Sequence, residues 1–492
     1  MKSPELALPP LRPLPRPPGS FPGDARRVPR PRHAPGSSPR WIYALFVFQF
    51  ACQLFLAFAS VGGMRALVRA AAFGISLVFL VMLQGRGRRH PAALSALAVL
   101  GITAVNVFHP GTRSFFAGVA SVGLYMAVIA PVLWGPRLRM DVSSLRKVVL
   151  ILWAFHSVSA GFGVLQVYFP GRFQPNLSQA IVAMGENYTE ALHITTATGE
   201  STLRPMGLTD IPGGASMAGF YAFLLSAGLL LSSRRKLLRL LCVTSMFIGS
   251  AAIYLSYVRS VLVLLVVCLI AMLSLLVMRG ELKRVFAFSA VTVGMALVGF
   301  LLAVTLGGDG VLSRISTLVE DDPSEVYHRN RGRFLEYTLE EVLPNNLLGT
   351  GLARWGMVSV YFGDRDMIVT NIEQDIWVEI QWTGWVVDGG LPLMLAYSVS
   401  ILLALWTAFR IATGRLGAQH RGLWPLAAIV FAYSVGGLAL TFNFPFFVSQ
   451  SGLEFWVLNA LLFAVAVSPA PKPAAPRPAP APRRPAPRSV RA

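Results

Sequence analysis

The sequence predicts an all-α fold: a polytopic transmembrane helix bundle of about twelve helices, with a large, partly helical loop on the outer side. Three observations predict it. Hydrophobic residues make up 54% of the 492 positions and charged residues only 13%, too apolar for a soluble chain of this length. The apolar residues gather in runs of about 18 or more, the length a helix needs to cross the hydrocarbon core. Backbone groups in lipid must pair internally, so such runs read as helices. Finally, Lys and Arg segregate to alternate connections between the runs, as the positive-inside rule requires of a multi-pass protein.

Twelve spans follow in order: 41–62, 65–84, 92–108, 115–134, 147–168, 213–232, 240–257, 260–278, 285–306, 384–408, 423–442 and 452–468. With the N-terminal tail in the cytoplasm, the inner connections are GRGRRHP (85–91), GPRLRMDVSSLRK (135–147), SRRKLLR (233–239), RGELKR (279–284) and RIATGRLGAQHRG (410–422). With both tails these hold 31 of the 43 Lys and Arg, but only four acids, Glu5, Asp24, Asp141 and Glu281. The other 19 of 23 acids fall outside or within helices. Both termini are therefore expected to be cytoplasmic. The net charge of +20 is explained by topology, without nucleic acid as a partner.

Residues 1–40 and 469–492 are Pro- and Arg-rich tails that cannot bury a core and are expected to be disordered, near anionic lipid. The first tail has no apolar signal region, so the first helix is expected to stay as an anchor. Residues 41–468 form the transmembrane domain. Cys52, Cys242 and Cys268 all lie in apolar runs, an odd number without metal spacing, and read as buried thiols. No His/Cys/Asp/Glu cluster has the spacing of a metal site. Most outer connections are short, but 169–212 and 307–383 are long, which directs attention to the outer face. The second contains a helix-like stretch, Arg331–Leu343, before the turn signal NNLLGTGLARWG. That glycine-rich turn lacks the Lys-Ser/Thr of a phosphate-binding loop and lies on the side away from nucleotides.

Outer-side arginines are few. Arg204 sits in STLRPMGLTDIPGG before the sixth span, Arg259 at the tip between spans seven and eight, and Arg333 in HRNRGRFLEYTLEEV beside Arg329 and Arg331. Guanidinium groups stay charged and grip phosphate oxygens bidentately. Three of them around a lipid diphosphate would hold it and stabilise it as a leaving group. The bland alternative is that each snorkels to headgroups or pairs with a nearby acid. Arg65 and Arg69 read as interfacial. A transfer reaction also needs a base near the arginines. Glu379 precedes the tenth span, Asp388 lies a few residues into it, and His328 adjoins the arginine cluster. His156, in the middle of the fifth span, reads as a hydrogen-bonded core histidine.

Four blocks carry a resemblance. RPMGLTDIPGGASMAGF (204–220) looks like an Arg-x-x-Gly segment before a Gly-rich helix start. LSYVRSVLVLL (255–265) looks like a Ser-x-x-Arg-Ser/Gly hairpin. RFLEYTLEEVLPNNLLGTGL (333–352) is similar to an Arg-x-x-x-Trp/Tyr helix ending in a Gly-x-Gly turn. VEIQWTGWVVDGGLPLML (378–395) looks like a block leading from a large outer loop into the next helix. In this order and placement the chain resembles the O-antigen ligase/polymerase superfamily of bacterial envelope proteins.

The resemblance implies an inner-membrane glycosyltransferase acting at the periplasmic face on polyprenyl-diphosphate-linked oligosaccharide, with no cofactor and no metal. Membrane lipid, a chain-length regulator and export proteins would be its partners. It implies that Arg204, Arg259 and Arg333 engage the diphosphate; Arg331, Asp388 and His328 are expected near the substrate from their own positions in the sequence. The ligase branch usually has a His-Asn pair where this chain has Glu379 and Ile380, which turns the expectation toward a polymerase of O-antigen, capsule or exopolysaccharide. From its position, Glu379 is expected to activate the acceptor hydroxyl. A ligase, a transporter of the same lipid-linked glycan, and a non-catalytic scaffold recruited through the basic tails remain alternatives.

Overall fold

The computed structural model describes residues 39–58, 62–83, 88–175, 177, 179–182, 186–190, 192–195, 201–209, 211–307, 311–312, 316, 322–362, 378, 380–420 and 422–469. Helix dominates them. The long helices are α1 (Arg40–Phe58), α2 (Gly62–Met82), α3 (Ala93–Val105), α4 (Phe115–Ile129), α5 (Val142–Tyr168), α6 (Gly214–Ser232), α7 (Lys236–Leu255), α8 (Arg259–Met278) and α9 (Leu282–Gly307). A helical rod, α10 (323–345), and the short α11 (Gly356–Phe362) follow. Then come α12 (Gln381–Ala412), α13 (Leu423–Leu440) and α14 (Gln450–Val467).

Nine helices among the described residues are long and apolar enough to cross a membrane. The number is ten if Phe115–Ile129 and Pro131–Arg137, bent by 43°, form one broken span. The apolar helices Arg40–Leu56 and Ala93–Phe108 are shorter. The architecture is thus a multi-pass helical membrane bundle, and the described residues of each predicted stretch are mostly helical.

Local chemistry sets the helix ends. Ser114, Asp141 and Ser449 cap α4, α5 and α14 by accepting the N–H of Ala117, Ser144 and Gly452. Gly280, at φ +69°, closes α8; its own N–H reaches the Val277 carbonyl, and Glu281 N–H reaches Leu276. In α6, α13 and α14 between 72% and 83% of the membrane window is buried by protein, against 17% in α2 and α9. The first three form the centre and the latter two face lipid.

Small residues carry the central crossings, because apolar area alone gives helices no reason to associate in lipid. A Cβ on Gly219 would stand 2.5 Å from the Gly249 carbonyl oxygen, and one on Gly249 2.7 Å from that of Gly219. Likewise, a Cβ on Gly228 would meet Ile429 of α13.

The C-terminal ends of α5, α7 and α9 meet in one cluster of Val167, Leu255 and Ala303, with Tyr168, Tyr254, Tyr257 and Phe300 around it. Gly436, near the end of α13, faces Leu264 and Cys268 in the first half of α8. The α8 start and the α13 end therefore share this end of the bundle with the α12 start, whose Gln381 N–H donates to the Thr441 carbonyl at 2.9 Å. Both long loops leave from here, and it is called the loop end below.

Candidate functional site at the loop end

The Arg204 segment is built onto α5. A two-stranded hairpin, β1 (His193–Thr195) and β2 (Ser201–Leu203), pairs antiparallel with His193 opposite Leu203. Arg204 N–H continues it by donating to the Leu192 carbonyl at 2.9 Å. The chain then drops into the protein, with Pro205 to Leu208 buried. Gln166 of α5 holds it: Oε1 accepts from Met206 and Gly207 N–H at 2.7 and 2.8 Å, and Nε2 donates to the Gly207 carbonyl at 2.8 Å. Ser159 Oγ accepts from Leu208 N–H at 3.0 Å. Gly207 takes φ +66° and has no room for a Cβ, which would lie 2.8 Å from the Ser159 carbonyl oxygen. The Arg-x-x-Gly spacing thus has a local cause: the glycine fits the segment against α5 and leaves the arginine, half-buried, at the rim.

Arg259 is the first residue of α8, half-buried, after a tight turn in which Tyr257 adopts φ +57°. A left-handed tyrosine costs about 1–2 kcal/mol. Gly213, at φ +81°, opens α6 and faces the Val258 side chain, which a Cβ would meet at 3.6 Å. The two turns are therefore neighbours, the Arg204 segment on one side and the Arg259 hairpin on the other.

Arg333 stands on α10, which lies across the ends of α12 and α13. Thr338 and Thr383 share a hydroxyl hydrogen bond of 2.7 Å, and Tyr327 Oη donates to the Phe442 carbonyl at 3.4 Å. The rod is longer than the predicted Arg331–Leu343, because Asp322 caps it by accepting from Ser324 N–H. It has π-helical turns at His328–Gly332 and Thr338–Val342, on either side of Arg333; such bulges concentrate at functional sites. Arg333 is exposed, its guanidinium 5.0 Å from the Phe334 ring centre. Arg331 is half-buried and draws the Tyr327 phenol down, against the larger upward effect of burial. His328 lies 3.6 Å from Glu336 on an open groove of about 670 Å³. Glu379 lies outside the described residues.

Asp388 is 4% exposed, and donors from two other segments reach its carboxylate. Tyr125 Oη of α4 donates to Oδ2 at 2.6 Å, and the Trp355 indole N–H donates to Oδ1 at 2.9 Å. Immediately after it α12 breaks, with Gly390 at φ +62°, ψ −154°. The glycine-rich turn fills the break. Leu391 N–H donates to the Leu347 carbonyl at 3.0 Å, and Thr350 N–H to the Val387 carbonyl at 2.7 Å. Asn106 Nδ2 donates to the Asp388 carbonyl at 2.9 Å. GTG is therefore a wedge whose missing side chains let two backbones touch; a Cβ on Gly349 would lie 2.8 Å from Gly389 N.

A second polar cluster lies within the helices. Glu454 of α14 is 1% exposed. Its Oε2 is 3.3 Å from His156 Nε2 and accepts from Tyr433 Oη at 3.2 Å, and its Oε1 accepts from Gln450 Nε2 at 3.1 Å. Gln53 of α1 donates to Gln450 in turn, and the Tyr221 ring centre lies 4.7 Å from that of His156. His156 is a hydrogen-bonded core histidine, as expected; its carboxylate partner was not anticipated. The available signal was a lone acid two residues into an apolar span. Arg65 corrects an expectation: at 6% exposure it turns into the protein and is not an interfacial side chain.

A scan against family models finds no match to this chain, and a search of curated proteins finds none either.

Proposed function

We propose that the chain is a membrane glycosyltransferase that polymerises lipid-diphosphate-linked oligosaccharide repeat units at the periplasmic face. The observation that supports this reading is the nearness of Gly213, at the α6 start, to Val258, whose side chain lies 3.6 Å from where a Gly213 Cβ would stand; it sets the segments of Arg204 and Arg259 near one another at the loop end, where α10 with Arg333 lies against the α12 start. With Phe115–Ile129 and Pro131–Arg137 taken as one broken span, the two shorter apolar helices bring the crossings to twelve, with both termini in the cytoplasm. In the reaction, a sugar hydroxyl of one lipid-linked unit attacks the anomeric carbon of a chain held on polyprenyl diphosphate. Glu379 takes the hydroxyl proton, the bond from the anomeric carbon to the diphosphate oxygen breaks, and the arginines stabilise the departing diphosphate. Direct displacement inverts the anomeric centre. Arg331 and His328 line the approach along α10. A chain-length regulator and export proteins are the partners this activity calls for.

Deleting the chain and sizing the lipid-linked glycans tests the reading. Single repeat units accumulating outside support it. Full-length unattached polymer would instead identify a ligase. One observation favours a second reading: the Glu454–His156 pair is an ionisable cluster inside the helices, as proton-linked transporters use. A transporter of the same glycan would leave the units trapped inside.

A further inference from the structure

We infer that Trp355 is a stacking platform for a sugar ring of the lipid-linked glycan, an inference that rests on the glycan-polymerase reading. The chain around this residue is held in an uncommon way. Ala353, two residues earlier, is 3% exposed and takes φ +57°, a left-handed conformation that a residue with a Cβ adopts only when its surroundings impose it. The surroundings do so: Leu352 N–H donates to Thr112 Oγ1 at 3.0 Å, and the Leu352 carbonyl accepts from Arg113 N–H at 3.2 Å. On the far side Gly356 turns back at φ +69°, and Ser359 Oγ receives Arg113 Nη1 at 2.6 Å. Trp355 is thus presented between two left-handed residues on a segment fixed at both ends.

The ring itself is fixed in rotation. Its N–H goes to Asp388, which Tyr125 holds from the other oxygen. Its six-membered portion lies on Gly384, where a Cβ would come within 2.6 Å of Cζ2. The indole remains half-buried, and no aromatic side chain among the described residues stacks on it. An interfacial tryptophan that anchors a protein in lipid keeps its N–H toward water and headgroups. Trp355 does the reverse: its N–H is turned into the protein, onto Asp388. The negative face of an aromatic ring attracts the polarised C–H groups of a pyranose. The location also fits. Gly384 follows Thr383, whose hydroxyl meets Thr338 of α10, five residues from Arg333. The preceding residue, Arg354, is half-buried with Nη1 3.4 Å from the Thr350 carbonyl, and its remaining N–H groups can donate to sugar hydroxyls.

The test uses the full chain in lipid nanodiscs, with lipid-linked repeat units from cells lacking this chain, and the oligosaccharide released from them by mild acid. Trp355→Leu raises KM for the lipid-linked unit about tenfold and leaves kcat within about twofold, while Trp355→Phe returns KM to within about threefold of the parent. Phe keeps the ring face and loses the N–H. A Phe variant as impaired as Leu would mean that the Asp388 hydrogen bond alone matters, and would overturn the inference, as would a Leu variant equal to the parent. If the parent elongates nothing, the polymerase reading fails, and the platform is judged by saturation-transfer NMR with the released oligosaccharide: signal lost in Trp355→Leu supports it, and equal or absent signal overturns it. Oxidation by N-bromosuccinimide on the parent chain needs no variant. The oligosaccharide should protect Trp355, and unprotected oxidation contradicts the platform.

Discussion

Replacing Gly390 by alanine probes the seam where the glycine-rich turn enters the broken helix. Gly390 has φ +62° and ψ −154°, a region that side chains disfavour. Its Cβ would lie 2.0 Å from the Leu347 carbonyl oxygen and 2.6 Å from Gly349 N, both backbone atoms with no rotamer to yield. The turn must therefore lift away, loosening the Leu391–Leu347 and Thr350–Val387 hydrogen bonds. Backbone strain of about 1–2 kcal/mol and two buried hydrogen bonds left unmade at about 1–3 kcal/mol each sum to about 3–8 kcal/mol. Gly414→Ala is the matched control. Its φ of +77° imposes similar strain, but nothing lies within 4 Å of the new Cβ, so it should cost only that strain, about 1–2 kcal/mol. Unfolding in detergent with increasing denaturant measures both. Equal destabilisation of the two variants would refute the wedge.

Asp388→Ala deprives Tyr125 Oη and the Trp355 N–H of their acceptor and should cost about 2–4 kcal/mol; limited proteolysis should then cut the outer loop faster, and an unchanged cutting rate would show that the Asp388 hydrogen bonds do not hold it. Glu454→Ala and His156→Ala should each cost about 3 kcal/mol, with the double variant at least about 1 kcal/mol less than additive; a strictly additive cycle would show that the pair is not coupled. His90, 2% exposed between α2 and α3, is pushed down to about 3 by burial, below its ordinary 6.5. The unfolded chain thus binds the proton first on acidification. Stability should be full above about pH 6.5 and fall by about 1.4 kcal/mol per pH unit from there down to about pH 3, below which the loss levels off. His90→Phe should flatten that slope in melting curves, and an unchanged slope would assign it elsewhere.

The helices were legible because length and apolarity are local properties. Which of them lie at the centre was not. The α8 window has the highest mean hydropathy, 3.3, yet is 39% buried, whereas the α14 window at 1.5 is 83% buried. Lipid and protein interior are both apolar, so hydropathy separates each from water but not from the other. The Arg204 and Arg259 segments could be located from the sequence as junctions between spans. That Gly213 and Val258 are neighbours depends on the α6–α7 crossing at Gly219 and Gly249, which no local pattern announces. GTG read correctly as a turn, but its seat lies forty residues further on in a helix that breaks. Glu454 was legible as a lone acid in a span; its four-helix set of partners was not.

The central claim is that Arg204, Arg259 and Arg333 grip the diphosphate of a lipid-linked glycan. The most direct measurement is elongation of lipid-linked repeat units by Arg204→Ala, Arg259→Ala and Arg333→Ala, each confirmed to express and fold like the parent. The account predicts that each loses polymer, with kcat/KM down about a hundredfold or more for a lost charge-assisted contact. Parental polymer from all three variants would contradict it.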